Sequence, residues 1–161
     1  MLELGPTAAA HAVPSDRDAL VTYARRFVGT PYRWGGAGPG GFDCSGLTSY
    51  VYAKFGVRMA HYTGAQFGAY RKVARGRLRP GDLVFFDGVG HTGIYVGKGR
   101  FIHATHSGDH VRVSRLSEGW YARRYSGAVR PPFPSSASSS SGPSMRKSPG
   151  MRSASSSASS A

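Results

Sequence analysis

The chain holds one cysteine in 161 residues. That scarcity excludes an intramolecular disulfide framework and any cysteine-only zinc site. Long hydrophobic runs are missing too. No stretch approaches the ~18 apolar residues of a membrane span, so an integral transmembrane protein is excluded. Negative charge is scarce: Asp and Glu number 8 against 21 Lys and Arg, for a formal charge of +13. The opening residues MLELGPTAAAHAVP contain neither a basic n-region nor a ~7–15-residue apolar h-region, so no secretory signal is visible in them. There is no internal repeat.

What is present divides into three parts. Residues 1–14 show no apolar periodicity and read as a flexible N-terminal segment. Residues 135–161 hold 14 Ser in 27 positions, a composition that buries too little apolar surface to offset its ordering entropy. They read as a Ser-rich disordered tail. Residues 15–134 remain as one folded domain. The tail carries Arg146, Lys147 and Arg152 and the N-terminal segment carries only Glu3, which leaves +11 of the +13 on the domain. A domain that basic is expected to meet an acidic partner: nucleic acid, an anionic membrane surface or an anionic wall polymer.

Hydrophobic period assigns the elements. Ser15 is a natural N-cap for a helix through Ala19, Leu20, Tyr23, Ala24 and Phe27, with Asp16 and Asp18 in its first turn and Gly29 ending it. Residues 29–42 hold six Gly and two Pro, a loop with unusual backbone demands. From Cys44, a helical stripe of Leu47, Tyr50, Val51 and Phe55 closes at Gly56. A short third helix is expected after Thr63, with Gln66 as its capping-box partner. After Pro80-Gly81 the period becomes that of strands: 83–86, 91–96, 101–104, 111–113 and a last one around 125–129. Helices first and a meandering sheet second predicts an α+β fold, its helices packed on one side of a small antiparallel sheet.

The chemistry starts at Cys44. A lone cysteine is more often a buried small hydrophobe than a nucleophile. This one follows a Gly-rich loop, opens a helix and is flanked by Asp43 and Ser45. Free N–H groups at a helix N-terminus favour the thiolate and can hold an oxyanion beside it. Such a nucleophile needs a base held by a third group. Of six histidines, His11 lies outside the domain, and His106 and His110 flank an expected turn and read as solvated. His91 opens one strand and His103 sits inside the next. A three-residue Gly97-Lys98-Gly99 loop would put Val96 opposite Arg100 and Gly93 opposite His103, with His91 diagonal to His103 on the same face. Gly93 would leave room for the imidazole.

The combination PYRWGG, GFDCSGL, RPGDLVFF, HTGIYVG and FIHA resembles the NlpC-type cysteine peptidases, papain-like bacterial cell-wall hydrolases, from about Ala19 to Pro131. The resemblance implies a papain-like fold with Cys44 as nucleophile, His91 as base and His103 orienting His91. It implies substrate contacts from Tyr32, and from Asp43 and Ser45 to the free amine of a stem peptide. It implies hydrolysis of the γ-D-glutamyl–diamino acid bond of peptidoglycan stem peptides, no metal or organic cofactor, and a cell-wall or secreted location. One segment departs from the family's pattern: Met59-Ala60-His61-Tyr62-Thr63 stands where many members have a Leu-Pro-Arg-Ser/Thr-like sequence, so His61 replaces a permanently charged Arg.

Plainer readings stand beside these. Tyr32 could cap a core edge, Asp43 could be only the N-cap of the cysteine helix, and Trp34 reads as packing. A related thiol amidase or acyltransferase would use the same fold. A non-catalytic polyanion-binding protein would use the charge and the Trp120-to-Tyr125 run of aromatics and Arg, although no specific nucleic-acid motif is present. A zinc site at Cys44, His91 and His103 lacks a carboxylate companion.

Overall fold

A computed structural model describes residues 15–133; the flexible segment and the Ser-rich tail expected at the two ends lie outside the described residues. Helix α1 (Asp16–Arg25) starts as expected, with Ser15 accepting the Asp18 N–H at 3.0 Å. The Gly-rich loop folds on itself through a minimal hairpin, β1 (Ala37–Gly38) and β2 (Gly41–Phe42). Helix α2 (Cys44–Ala53) follows at once, and α3 (Thr63–Ala69) packs beside it. Then come β3 (Arg71–Lys72), a 3-10 turn over residues 75–77, β4 (Leu83–Phe86), β5 (His91–Gly97), β6 (Arg100–Ala104), β7 (Val111–Arg115), α4 (Gly119–Arg124) and β8 (Tyr125–Arg130). The main sheet is antiparallel with strand order β3-β8-β4-β5-β6-β7.

Alternation in β4 shows how the layers form. Leu83 and Phe85 join the larger core with Leu20 of α1, Leu47 and Val51 of α2, and Ile94 and Ile102 of the sheet. Val84 and Phe86 point to the other face, where they meet Phe101, Ala128, Tyr121 and Tyr125. Both faces are therefore covered, and β4 is buried at every position. Asp82, immediately before β4, is wholly buried and balanced by Arg130 and Arg17, with Nε of Arg130 2.8 Å from Oδ1.

Several expectations need correction. The β5–β6 connection is a two-residue turn, Lys98-Gly99, with φ of 55° and 75°, the left-handed pair favoured in tight hairpins. Gly97 rather than Val96 sits opposite Arg100, because a bulge shifts the register at that end. The Ile94–Ile102 and Tyr95–Phe101 pairs before the bulge keep the register that brings Gly93 beside His103. Gln66 makes no capping box: Tyr62 is the N-cap of α3 and offers no side-chain bond. The Gln66 amide is instead buried and consumed between helices, donating to Ser45 O and Ala60 O and accepting from Thr48 Oγ1. The Trp120-to-Tyr125 run forms α4 and the start of β8, and Tyr121 and Tyr125 turn into the second core, so no aromatic ladder faces solvent.

Candidate active site

Close backbone approach fixes the start of α2. A Cβ on Gly46 would overlap the carbonyl oxygen of Gly36, so only glycine lets the helix seat on the loop. Asp43 is the N-cap. Its Oδ1 accepts the Gly46 N–H at 2.7 Å, its Oδ2 accepts the Gly35 N–H at 3.0 Å, and His61 Nε2 lies 2.6 Å from Oδ1. With Gly46 N–H bound to the cap, the N–H groups of Cys44 and Ser45 are left to act on the sulfur, joined by Thr92 N–H from β5. These donors draw the thiol pKa down, but burial is larger and raises it. The helix-terminal N–H groups favour the thiolate as expected, and burial outweighs them.

The base side is built on the opposite sheet face. His91 Nε2 lies 2.7 Å from His103 Nδ1, and His103 Nε2 lies 2.8 Å from Ser114 Oγ. Gly93 makes the space: a Cβ there would come within 2.9 Å of the His103 Cβ. His103 is fully buried among the Phe101 and Tyr121 rings. Burial lowers the pKa of both imidazoles, His91 to about 4. Each ring is then neutral and carries one proton. A chain in which His91 Nε2–H donates to His103, and His103 Nε2–H donates to Ser114, leaves His91 Nδ1 as an unprotonated acceptor.

Cys44, His91, Tyr32, Asp43 and Ser45 all line one cleft of about 1350 Å³. His103 stands behind His91 rather than in the cleft. Tyr32 faces the cysteine: burial raises its phenol pKa, and the nearby Cys44 and Asp43 add to the shift. Ser45 is buried. Among the described residues no cluster of three or more His, Cys, Asp or Glu could hold a metal ion.

Residues 29–130 match the NlpC/P60 family. The chain belongs to that family. Over 105 residues it is 47% identical to "Probable endopeptidase p60" of Listeria welshimeri, a match covering 63% of this chain and 20% of that protein. The NlpC/p60 domain of the peptidoglycan hydrolase SagA aligns with a TM-score of 0.65 at 38% identity, over 71% of this chain and 98% of that one. The peptidoglycan hydrolase RipB of Mycobacterium tuberculosis aligns with a TM-score of 0.60 at 30% identity, over 81% and 73%. The chain spans about a fifth of the length of the Listeria p60 proteins it matches.

Three features of this NlpC/P60 domain escaped the sequence reading. Ser114 ends the imidazole chain, yet a serine in a strand that alternates with Arg reads as solvated. His61 bonds Asp43, a pairing that only the fold of the 59–63 segment reveals. Trp34, read as packing, is 85% exposed. The Trp34-Gly35-Gly36 turn carried no apolar periodicity, and that absence was the available signal.

Proposed function

We propose that the chain is a cysteine endopeptidase of the bacterial cell wall that hydrolyses peptidoglycan stem peptides at the γ-D-glutamyl–diamino acid bond through a thioester acyl-enzyme. One observation carries the reading. The chain's one thiol opens a helix in the same cleft as an imidazole whose far nitrogen is held by a second imidazole. The names borne by its relatives, endopeptidase and peptidoglycan hydrolase, support it.

His91 Nδ1 accepts the Cys44 thiol proton as the sulfur attacks the scissile carbonyl carbon. The N–H groups of Cys44 and Ser45 stabilise the resulting oxyanion. Collapse breaks the C–N bond, and the departing amine takes the proton from His91, leaving a thioester. Water then attacks the thioester with His91 again as base, which releases the acid and restores the thiol. While His91 is protonated, its Nε2–H remains bonded to His103, so the ring cannot swing away. Tyr32 positions the peptide, and the Asp43 carboxylate and Ser45 hold the N–H at its amino end. The scheme needs no metal or organic cofactor. The positive domain concentrates the enzyme on anionic wall polymers, in a cell-wall or secreted location.

Mass spectrometry of purified muropeptides incubated with the protein and with Cys44→Ala tests the reading. New fragments ending in γ-D-glutamate, formed by the wild type alone, are expected. Uncut muropeptides, or equal cleavage by the variant, overturn it.

A further inference from the structure

The exposed large hydrophobic residues among those described are Val28, Trp34, Tyr62, Val113 and Trp120. Single exposed apolar side chains need no explanation, whereas a group around a concavity does. The three aromatics all line the cleft that holds Cys44, and the two valines do not.

Their anchoring places them on both rims. Trp34 is next to Gly35, whose N–H bonds Asp43, and Tyr62 follows His61, which bonds the same carboxylate. Both therefore flank the cysteine side. Trp120 lies on the histidine side: its ring meets Tyr121 at 5.3 Å, and Tyr121 packs on His103 at 5.2 Å. The Arg124 guanidinium stands over the Trp120 ring at 5.9 Å. Trp34 is 85%, Tyr62 66% and Trp120 41% exposed.

We propose that this aromatic rim is a subsite for the glycan part of the substrate, stacking on the pyranose rings of N-acetylhexosamines beside the peptide-cleaving centre. The inference rests on the peptidase reading given above. All three side chains are Trp or Tyr, which combine a flat apolar face with an N–H or O–H at the edge. A pyranose ring has the matching character, with C–H groups on its face and hydroxyls around its edge. Among the described residues lining the cleft the one aliphatic side chain is Val89, which packs against the core. The volume supports a two-part ligand: about 1350 Å³ exceeds the ~300–1,000 Å³ typical of sites for one drug-sized molecule. A stem peptide fills the part near Cys44 and leaves the rim for what the peptide is attached to.

The two rim tryptophans are also the only tryptophans in the chain, so fluorescence excited selectively at indole reports on the rim alone. The first measurement titrates full-length Cys44→Ala protein with N-acetylglucosamine tetramer. A saturable fluorescence change is expected, weakened roughly fivefold to tenfold in affinity by a further Trp34→Phe or Tyr62→Ala substitution. The second compares kcat/KM for a free stem peptide and for the same peptide on its disaccharide, with the wild type and Trp120→Ala. A ratio above one for the wild type, falling toward one in the variant mainly through KM, is expected. Absent oligosaccharide binding together with a wild-type ratio of one overturns the subsite while leaving the peptidase reading standing. Oligosaccharide binding without cleavage of either peptide supports the subsite and overturns the peptidase. A concentration-dependent dimer that dissolves on Trp34→Ala, with no response to sugar, assigns the rim to a second copy and overturns the proposal.

Discussion

Two buried polar networks use the same sheet in opposite ways. Around Asp82, before β4, each carboxylate oxygen has two donors. Oδ1 takes Arg130 Nε–H and Arg17 Nη1–H, and Oδ2 takes Arg130 Nη2–H and Arg79 N–H. This network pairs one carboxylate with two guanidinium groups. The chain from His91 through His103 to Ser114 removes charge instead, because burial lowers both imidazole pKa values. It also stops short: its last bond uses His91 Nε2, and His91 lines the cleft. A saturated network locks three segments together and has no vacant position for a proton. An open-ended one has such a position, on a residue that lines the cleft with Cys44. Closure distinguishes the stabilising network from the proposed reactive one, since both are buried and both are fully hydrogen-bonded along their length.

The contrast breaks most visibly at the open end. Cys44→Ala and His91→Ala are each expected to lower kcat by ~10³-fold or more, while a thermal melt moves little. Loss of folding in both variants would show that this network is structural as well. Asp82→Ala inverts the pattern. Removing one partner from a buried ion network is expected to cost ~3–5 kcal/mol, read as a fall in denaturation midpoint. Refolded protein at low temperature keeps its turnover. His103→Gln is intermediate: an amide still holds an imidazole, so a loss of ~10–100-fold in kcat is expected, with KM unchanged and the acid limb of the pH profile displaced.

Acidification acts on the histidine network. The unfolded chain binds protons at its histidines near pH ~6.5, whereas His91 in the folded protein resists protonation until about 4. The unfolded state therefore gains protons first. Stability from this source is complete above ~6.5 and falls between there and 4, at ~1.4 kcal/mol per pH unit for one histidine. Chemical denaturation across that range should lose about half its slope in His91→Gln, since buried His103 supplies the rest, and retain its slope in Asp82→Ala. The smallest expected effect concerns exposed charge. Sacculus binding should weaken from 0.1 to 1 M salt as the Debye length shrinks from ~10 to ~3 Å, with turnover of a small soluble stem peptide nearly constant. If peptide cleavage collapses in parallel, basic residues belong to the reactive end of the cleft.

The legible parts of the molecule were those where one local signal had one outcome. Ser15 caps α1 and Asp43 caps α2 because short polar side chains before a helical stripe have few other uses. The His91–His103 juxtaposition followed from strand parity, and the bulge at Gly97 spared it because it falls beyond the pairs that set that register. Gln66 and Ser114 were illegible for one shared reason: their partners come from distant elements. Glutamine three residues after Thr63 fits a capping box, and only the packing of α3 on α2 redirects its amide. Trp34 failed by the opposite route: large aromatics are normally interior, and the missing apolar periodicity of its turn is a weaker cue than that habit. The hairpin in the Gly-rich loop and the short α4 are too brief to carry a period.

Cys44 and its histidine partner belong to different halves of the architecture. The thiol opens the helix that packs on one face of the sheet, and the imidazole pair belongs to the other face, with Thr92 N–H bridging them at the sulfur. The proposed reactive centre is thus a junction rather than a feature of either half. A nascent or partly opened chain carries both groups but no pair, so it cannot act as a hydrolase on its surroundings. Separation of α2 from β5, which share the larger core, would disarm the protein. The fold thus works as its own safety catch, holding the proposed chemistry latent until its two layers meet.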